Sequence, residues 1–138
     1  MKIQHELEIP LAPVACPRPR VSRFGTYYPK KYKDFRKAAK AYLKASHDSV
    51  YLYSSEPIHI SYVFIFPRPK YMKAKKYPRE RIIHTKRPDL DNLIKAMNDV
   101  IQDAKIIDDD SQIYSCSAHK YYASDFEHEA IYITIRKG

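Results

Sequence analysis

Residues 86–113 read KRPDLDNLIKAMNDVIQDAKIIDDDSQI, one helix followed by the entrance to one strand. Leu90, Leu93, Ile94, Met97, Val100, Ile101 and Ala104 recur at helical spacing, which predicts a helix over 89–104 with that stripe facing inward. Pro88 suits a helix start, and Asp89 and Asp91 fall in or near the first turn, at the positive end of the helix dipole. Asp91, Lys95 and Asp99 form an i, i+4, i+8 line opposite the apolar stripe. Asp89 and Asp91 are two apart and cannot share one helical face. With Asp89 extended at the N-cap, their carboxylates can still converge on one ion. The pair Ile106–Ile107 is expected to pack, which fixes Asp108, Asp109 and Asp110 at the strand entrance. Each feature has a plain alternative: Asp89 only a cap, Asp91–Lys95 only a helix ion pair worth a few tenths of a kcal/mol, the aspartate run only a turn.

Working outward, residues 2–9 alternate Ile3, His5, Leu7 and Ile9 as a strand does. Residues 10–29 carry five prolines and read as an extended loop. Residues 30–46 predict a helix with Tyr32, Phe35, Ala39, Tyr42 and Leu43 inward and Lys33, Lys37, Lys40 and Lys44 outward. Residues 57–66, PIHISYVFIF, predict a strand ending at Pro67. Residues 67–88 read as a basic, mobile, proline-broken loop. Two more strands are expected at 112–122 and 129–136, joined as a hairpin around Ser124–Asp125. The order β-α-β-α-β-β argues for one small two-layer α+β domain over 1–138, with two helices on a mixed or antiparallel sheet. A chain of 138 residues leaves no room for a second domain.

Composition narrows the function. No apolar run reaches the length of a membrane span, and the N-terminus lacks a signal-peptide core, so a cytoplasmic protein is expected. Cys16 and Cys116 form no metal pattern and are expected as free thiols. Two glycines exclude glycine-rich phosphate loops. The formal charge is +9, and it is uneven. Residues 16–45 carry ten basic residues and one acid, residues 68–87 nine and one, residues 89–138 five and ten. Two dense basic blocks with interleaved Tyr and Pro point to nucleic acid, since phosphates need Lys and Arg and open bases stack on rings. Carboxylates beside such a surface repel phosphate unless a hard cation neutralises them, and Mg²⁺ takes a few carboxylates plus a substrate phosphate. His84 is expected exposed in its loop, with a metal-bound water as the sharper alternative; His59 is expected to be structural. Tyr27 and Tyr28 either stack on an unpaired base or pack under the loop.

The run RPDLDNLIKAMNDVI followed by IIDDDSQI resembles the signature of the RusA family of Holliday-junction resolvases, which has D-x-D-N-L-x-K at a helix start and D-D-x-Q-[VI] after the helix. The stretch CPRPRVSRFGTYYP is similar to the family's Pro-Arg-rich segment. The resemblance implies a homodimeric, Mg²⁺-dependent endonuclease of bacterial or phage origin, with Mn²⁺ as a substitute, that cuts four-way DNA junctions by paired nicks in recombination and repair. It places metal-binding catalytic aspartates at Asp89, Asp91 and Asp110 and a catalytic lysine at Lys95. Gln112 fixes the register that favours Asp110, with Asp109 and Asn92 in support. Charge alone nominates Arg18, Arg20, Arg23, Arg68, Lys70, Lys73, Lys75, Lys76, Lys86 and Arg87 as DNA contacts. The rival readings are a catalytically inactive nucleic-acid-binding module with the same basic surface, and a protein whose acidic and basic segments pair between subunits.

Overall fold

The structure, a computed structural model, describes residues 4–18, 20–46 and 53–138. Ile3 and Pro19 lie outside the described residues, as do the side chains of Arg20 and Thr26. The elements run β1 (Gln4–Ile9), β2 (Arg20–Ser22), β3 (Gly25–Tyr27), α1 (Lys30–Ala45), β4 (Ile58–Phe66), β5 (Ile82–Ile83), α2 (Leu90–Asp103), β6 (Ile113–Tyr122) and β7 (Ala130–Lys137). Tight 3-10 turns sit at Lys70–Lys73 and Asp110–Gln112. The predicted α+β order stands, with three short strands added.

The main sheet is mixed, in the order β1-β7-β4-β6-β5. β4 lies at its centre, parallel to β6 and antiparallel to β7. Its continuous run of branched and aromatic residues suits a strand flanked on both sides, and Ile58, Ile60, Tyr62 and Phe64 are fully buried. The expected hairpin at Ser124–Asp125 does not form. Parallel pairing of β4 with β6 needs a crossover, which α2 supplies, and β6 then occupies one side of β4. β7 pairs on the other side, so residues 123–129 pass over the end of β4.

Both helices pack against the sheet through the predicted stripes, and Leu93, Met97, Val100 and Ile101 join Ile60, Phe64, Ile131 and Ile133 in the core. Tyr42 departs from its expected place: it is 46% exposed, because Ala39 and Leu43 carry the buried line of α1. Polar contacts brace α1 against α2. Tyr32 donates to Asp99 (2.9 Å), and Arg36 pairs with Asp103 and Asp99. Asp99 is thereby committed to the helix pair rather than to the Asp91–Lys95 line.

Two further expectations change. Within 10–29, Arg20–Ser22 and Gly25–Tyr27 form a small antiparallel ribbon. Gly25 turns it at φ +120°, and the Ser22 hydroxyl bonds Phe24 N–H and the Gly25 carbonyl. Residues 67–88 are folded rather than loose. Arg68, expected at a DNA phosphate, has a side chain only 6% exposed. It donates to the carbonyls of Ala123, Met72, Pro78 and Glu80 and pairs with Asp125. Arg81 holds Glu127 with two bonds (2.8 and 3.0 Å), and Arg79 reaches Asp125. The basic segment is therefore tied to the β6–β7 connection.

Candidate functional site

The direction of α2 decides where the aspartates go. A helix that links two parallel strands must run back against them. Its first turn thus lies at the far end of β6, and its last turn at the beginning. Lys120, late in β6, donates to the carbonyls of Lys86 and Pro88 (2.7 and 2.8 Å), and so clamps the chain entering α2. Nothing in the sequence marked this lysine; only the sheet register places it there. Fourteen residues of helix at about 1.5 Å each separate the two ends by roughly 20 Å.

The first acidic station lies at the α2 N-terminus. Asp89 is the N-cap residue, extended at φ −69° and ψ 144°, yet its side chain makes no capping hydrogen bond. Pro88 sits one residue before the cap, after a cis Arg87–Pro88 bond, rather than inside the first turn. Among the described residues, Asp91 accepts only from the N–H of Asn92 (2.9 Å). The Asn92 carbonyl accepts from Cys16 N–H (3.0 Å), which fastens the proline-rich segment beside the helix. No ion pair joins Asp91 to Lys95, and Asp89, Asp91, Asn92 and Lys95 are all exposed. The expected plain cap and plain helix salt bridge are both missing, which leaves these charged groups open to a ligand. A cleft of about 680 Å³ adjoins them, with Arg18, Arg87, Asp89 and Asn92 on its wall.

The second station lies at the other end of the sheet. Asp108 accepts from the hydroxyls of Ser54 and Ser55 (3.1 and 3.2 Å). Asp109 accepts from Ser111 N–H (3.0 Å), and the hydroxyl and N–H of Ser111 hold its carboxyl below the usual range. Gln112 closes the turn. Its carbonyl oxygen accepts from Asp108 and Asp109 N–H, and its amide donates to the Tyr53 and Glu56 carbonyls. This is a capping box, legible in advance from Asp109 and Gln112 three residues apart. Among the described residues, Asp110 alone of the three makes no hydrogen bond with its carboxylate.

The stations do not meet within one chain. Among the described residues, no three His, Cys, Asp or Glu side chains gather closely enough to hold a metal ion. The convergence expected of Asp89, Asp91 and Asp110 is thus absent from the single protomer, because α2 spans the sheet between them.

His84 is buried, 6% exposed, rather than at the surface. It stacks on Tyr122 with ring centroids 4.2 Å apart and contacts Phe66. Burial, then the neighbouring Lys120 and Lys86 charges, lower its pKa. The cause is β5, whose pairing with β6 continues into a bond from His84 N–H to the Lys120 carbonyl. His59 is structural as expected, between Ser115 and Ser61 at 2.8 and 3.0 Å. Tyr28 packs against Tyr32, while Tyr27 is exposed. Lys70, Lys73, Lys75, Lys76, Lys86 and Arg87 are exposed, and Lys86 reaches the Tyr71 hydroxyl. Arg23 lies over the exposed Phe24 ring at the ribbon tip. Cys16 and Cys116 are free thiols. No helix is long and apolar enough to cross a membrane among the described residues.

An α/β crossover that holds uncommitted carboxylates against a basic cleft is the arrangement of a domain that handles a phosphate backbone. The model of the family Endodeoxyribonuclease RusA matches residues 10–136, and the chain belongs to that family. Membership makes it a nuclease of the kind that resolves Holliday junctions in DNA recombination. A search of curated proteins found no match.

Proposed function

We propose that the protein is a homodimeric, Mg²⁺-dependent resolvase that hydrolyses phosphodiesters at four-way DNA junctions, with Mn²⁺ as a working substitute. Family membership and the uncommitted Asp89 carboxylate beside the basic cleft support this reading. Asp89 and Asp91 are the ion ligands from one chain. Asp110 joins them only if a second copy delivers it, and the approximate two-fold symmetry of a junction suits a dimer with two equivalent sites. When bound, the ion supplies a water of lowered pKa and polarises the scissile phosphate. Lys95 neutralises charge growing on that phosphate. Asn92 keeps Asp91 turned toward the helix start through its own N–H. Arg18, Arg87, Lys86 and the lysines at 70, 73, 75 and 76 hold the DNA backbone, and Arg23 at the ribbon tip extends that surface.

The test is a synthetic four-way junction beside a linear duplex of the same sequence. Asp91→Asn is expected to bind the junction as well as the parent or better, and to lose at least 100-fold in cleavage, in line with removal of a charge-stabilising group. EDTA should stop the parent enzyme. Loss of binding together with cleavage in Asp91→Asn would count against this role. The open gap between the two stations is the observation that favours the rival, an inactive nucleic-acid-binding module. That reading requires tight, salt-sensitive binding with no product in Mg²⁺ or Mn²⁺.

A further inference from the structure

The β2–β3 ribbon is a two-stranded sheet of its own, apart from the main sheet. It carries Val21, Phe24 and Tyr27 on its surface, and Phe24, at its tip, is 87% exposed. The tip is held in shape. The Ser22 hydroxyl accepts from Phe24 N–H (3.2 Å) and donates to the Gly25 carbonyl (3.3 Å), and Gly25 takes a backbone angle that a side chain would strain. A single apolar side chain at the surface is ordinary, but three on one braced ribbon mark a surface made for contact.

Charge indicates the kind of partner. Residues 16–33, CPRPRVSRFGTYYPKKYK, hold six basic residues and no acid. The Arg23 guanidinium lies over the Phe24 ring, 5.0 Å from its centroid. A cation and an aromatic ring side by side match a nucleotide, the guanidinium for its phosphate and the ring for the face of its base. Phe126 is also exposed beneath an arginine, but it stands between Asp125 and Glu127, which repel phosphate. Position agrees with charge. Arg18, six residues before Phe24, lies on the wall of the cleft beside Asp89. Six residues reach at most about 20 Å, roughly six nucleotide steps, so a strand held in that cleft passes within reach of the ribbon tip.

We propose that Phe24 stacks on a base left unstacked at the branch point of a DNA junction, with Arg23 on the adjoining phosphate, an inference that rests on the junction reading above. In a linear duplex each base face is covered by its neighbours. A phenyl ring has no donor or acceptor to offer the base edges that remain in the grooves. At a branch point the stack is interrupted, and an apolar ring can enter as a wedge between base steps. Phe24 thus adds to junction binding and not to duplex binding. It selects the shape of the substrate, whereas the aspartates act on the phosphate.

The test uses the full-length protein in EDTA, so that strands stay intact. The probes are a four-way junction with 2-aminopurine at the branch point and a linear duplex with the same base inside it. The parent should brighten the junction probe, whose fluorescence rises when the base leaves its neighbours, and leave the duplex probe dark. Phe24→Ala should lose the brightening and at least about 5-fold in junction affinity, with duplex affinity and the urea unfolding midpoint unchanged. Phe24→Trp, which restores a π-face, should recover the affinity. Parental brightening and affinity in Phe24→Ala overturn the proposal. So does an equal loss on junction and duplex, or a changed sedimentation coefficient in Phe24→Ala, which would assign the ring to a protein contact. A parent that prefers the junction without brightening it loses the wedge and keeps the junction reading. A parent that binds both DNAs equally loses both.

Discussion

Arg68 shows how far composition misleads about one side chain. It stands in the most basic part of the chain, yet its guanidinium is turned inward onto four carbonyls from three segments. Only a planar fork with five donors satisfies such a set. Arg68→Ala is expected to cost about 2–4 kcal/mol, because the Ala123 and Met72 carbonyls lie buried without a replacement donor. Arg68→Lys should recover little of that loss, and urea unfolding of the three proteins provides the comparison. His84 carries a pH effect of defined sign. Its folded pKa lies below the ordinary 6.5, so the unfolded chain binds the proton more readily. Stability is therefore full above pH 6.5 and falls as pH drops through that value toward the folded pKa. His84→Phe keeps a ring against Tyr122 and should flatten the fall in the denaturation midpoint between pH 7.5 and 5.5. A residual slope remains from His59, whose pKa is also lowered, by burial and then by Arg136.

At the scale of elements, the folded basic segment separates lysines that are open from arginines that are engaged. Arg79 and Arg81 sit on Asp125 and Glu127, whereas Lys70, Lys73, Lys75 and Lys76 form no ion pairs among the described residues. Replacing those four lysines with alanine should lower the log–log salt slope of junction binding by up to about 3–4, roughly one for each phosphate no longer neutralised. Substituting Arg79 and Arg81 should lower thermal stability and leave the slope near its parental value. A salt titration by fluorescence anisotropy measures both; equal slopes in all three proteins would remove the segment from the DNA surface. The helices and β7 were legible in the sequence because each depends on a local period, 3.6 for Leu93–Met97–Val100 and 2 for Ile131–Ile133–Ile135, and β4 because its branched and aromatic run stops at Pro67. Strand neighbours have no local period. The pairing of β7 with β4 instead of β6 follows from where α2 crosses, which is a long-range choice. Likewise the proline spacing of 67–88 gave no hint that Arg68 would gather the segment around itself.

For the whole molecule, the acidic motifs were readable as chemistry and not as a place. Asp89 and Asp110 are joined by a short stretch of sequence, but that stretch is a helix, which holds its ends apart as a rigid rod. Under the homodimer reading proposed above, a second copy is what brings the two ends together. Activity should therefore depend on protein concentration more steeply than binding does. A single protomer still presents Arg18, Arg87 and the open lysines to DNA, so it should bind weakly without cutting. Specific activity per protomer should fall on dilution, with the same midpoint as dimer dissociation followed by sedimentation. Cleavage that stays constant per protomer well below the dissociation midpoint would mean that one chain closes its own site, and the homodimer reading would be overturned.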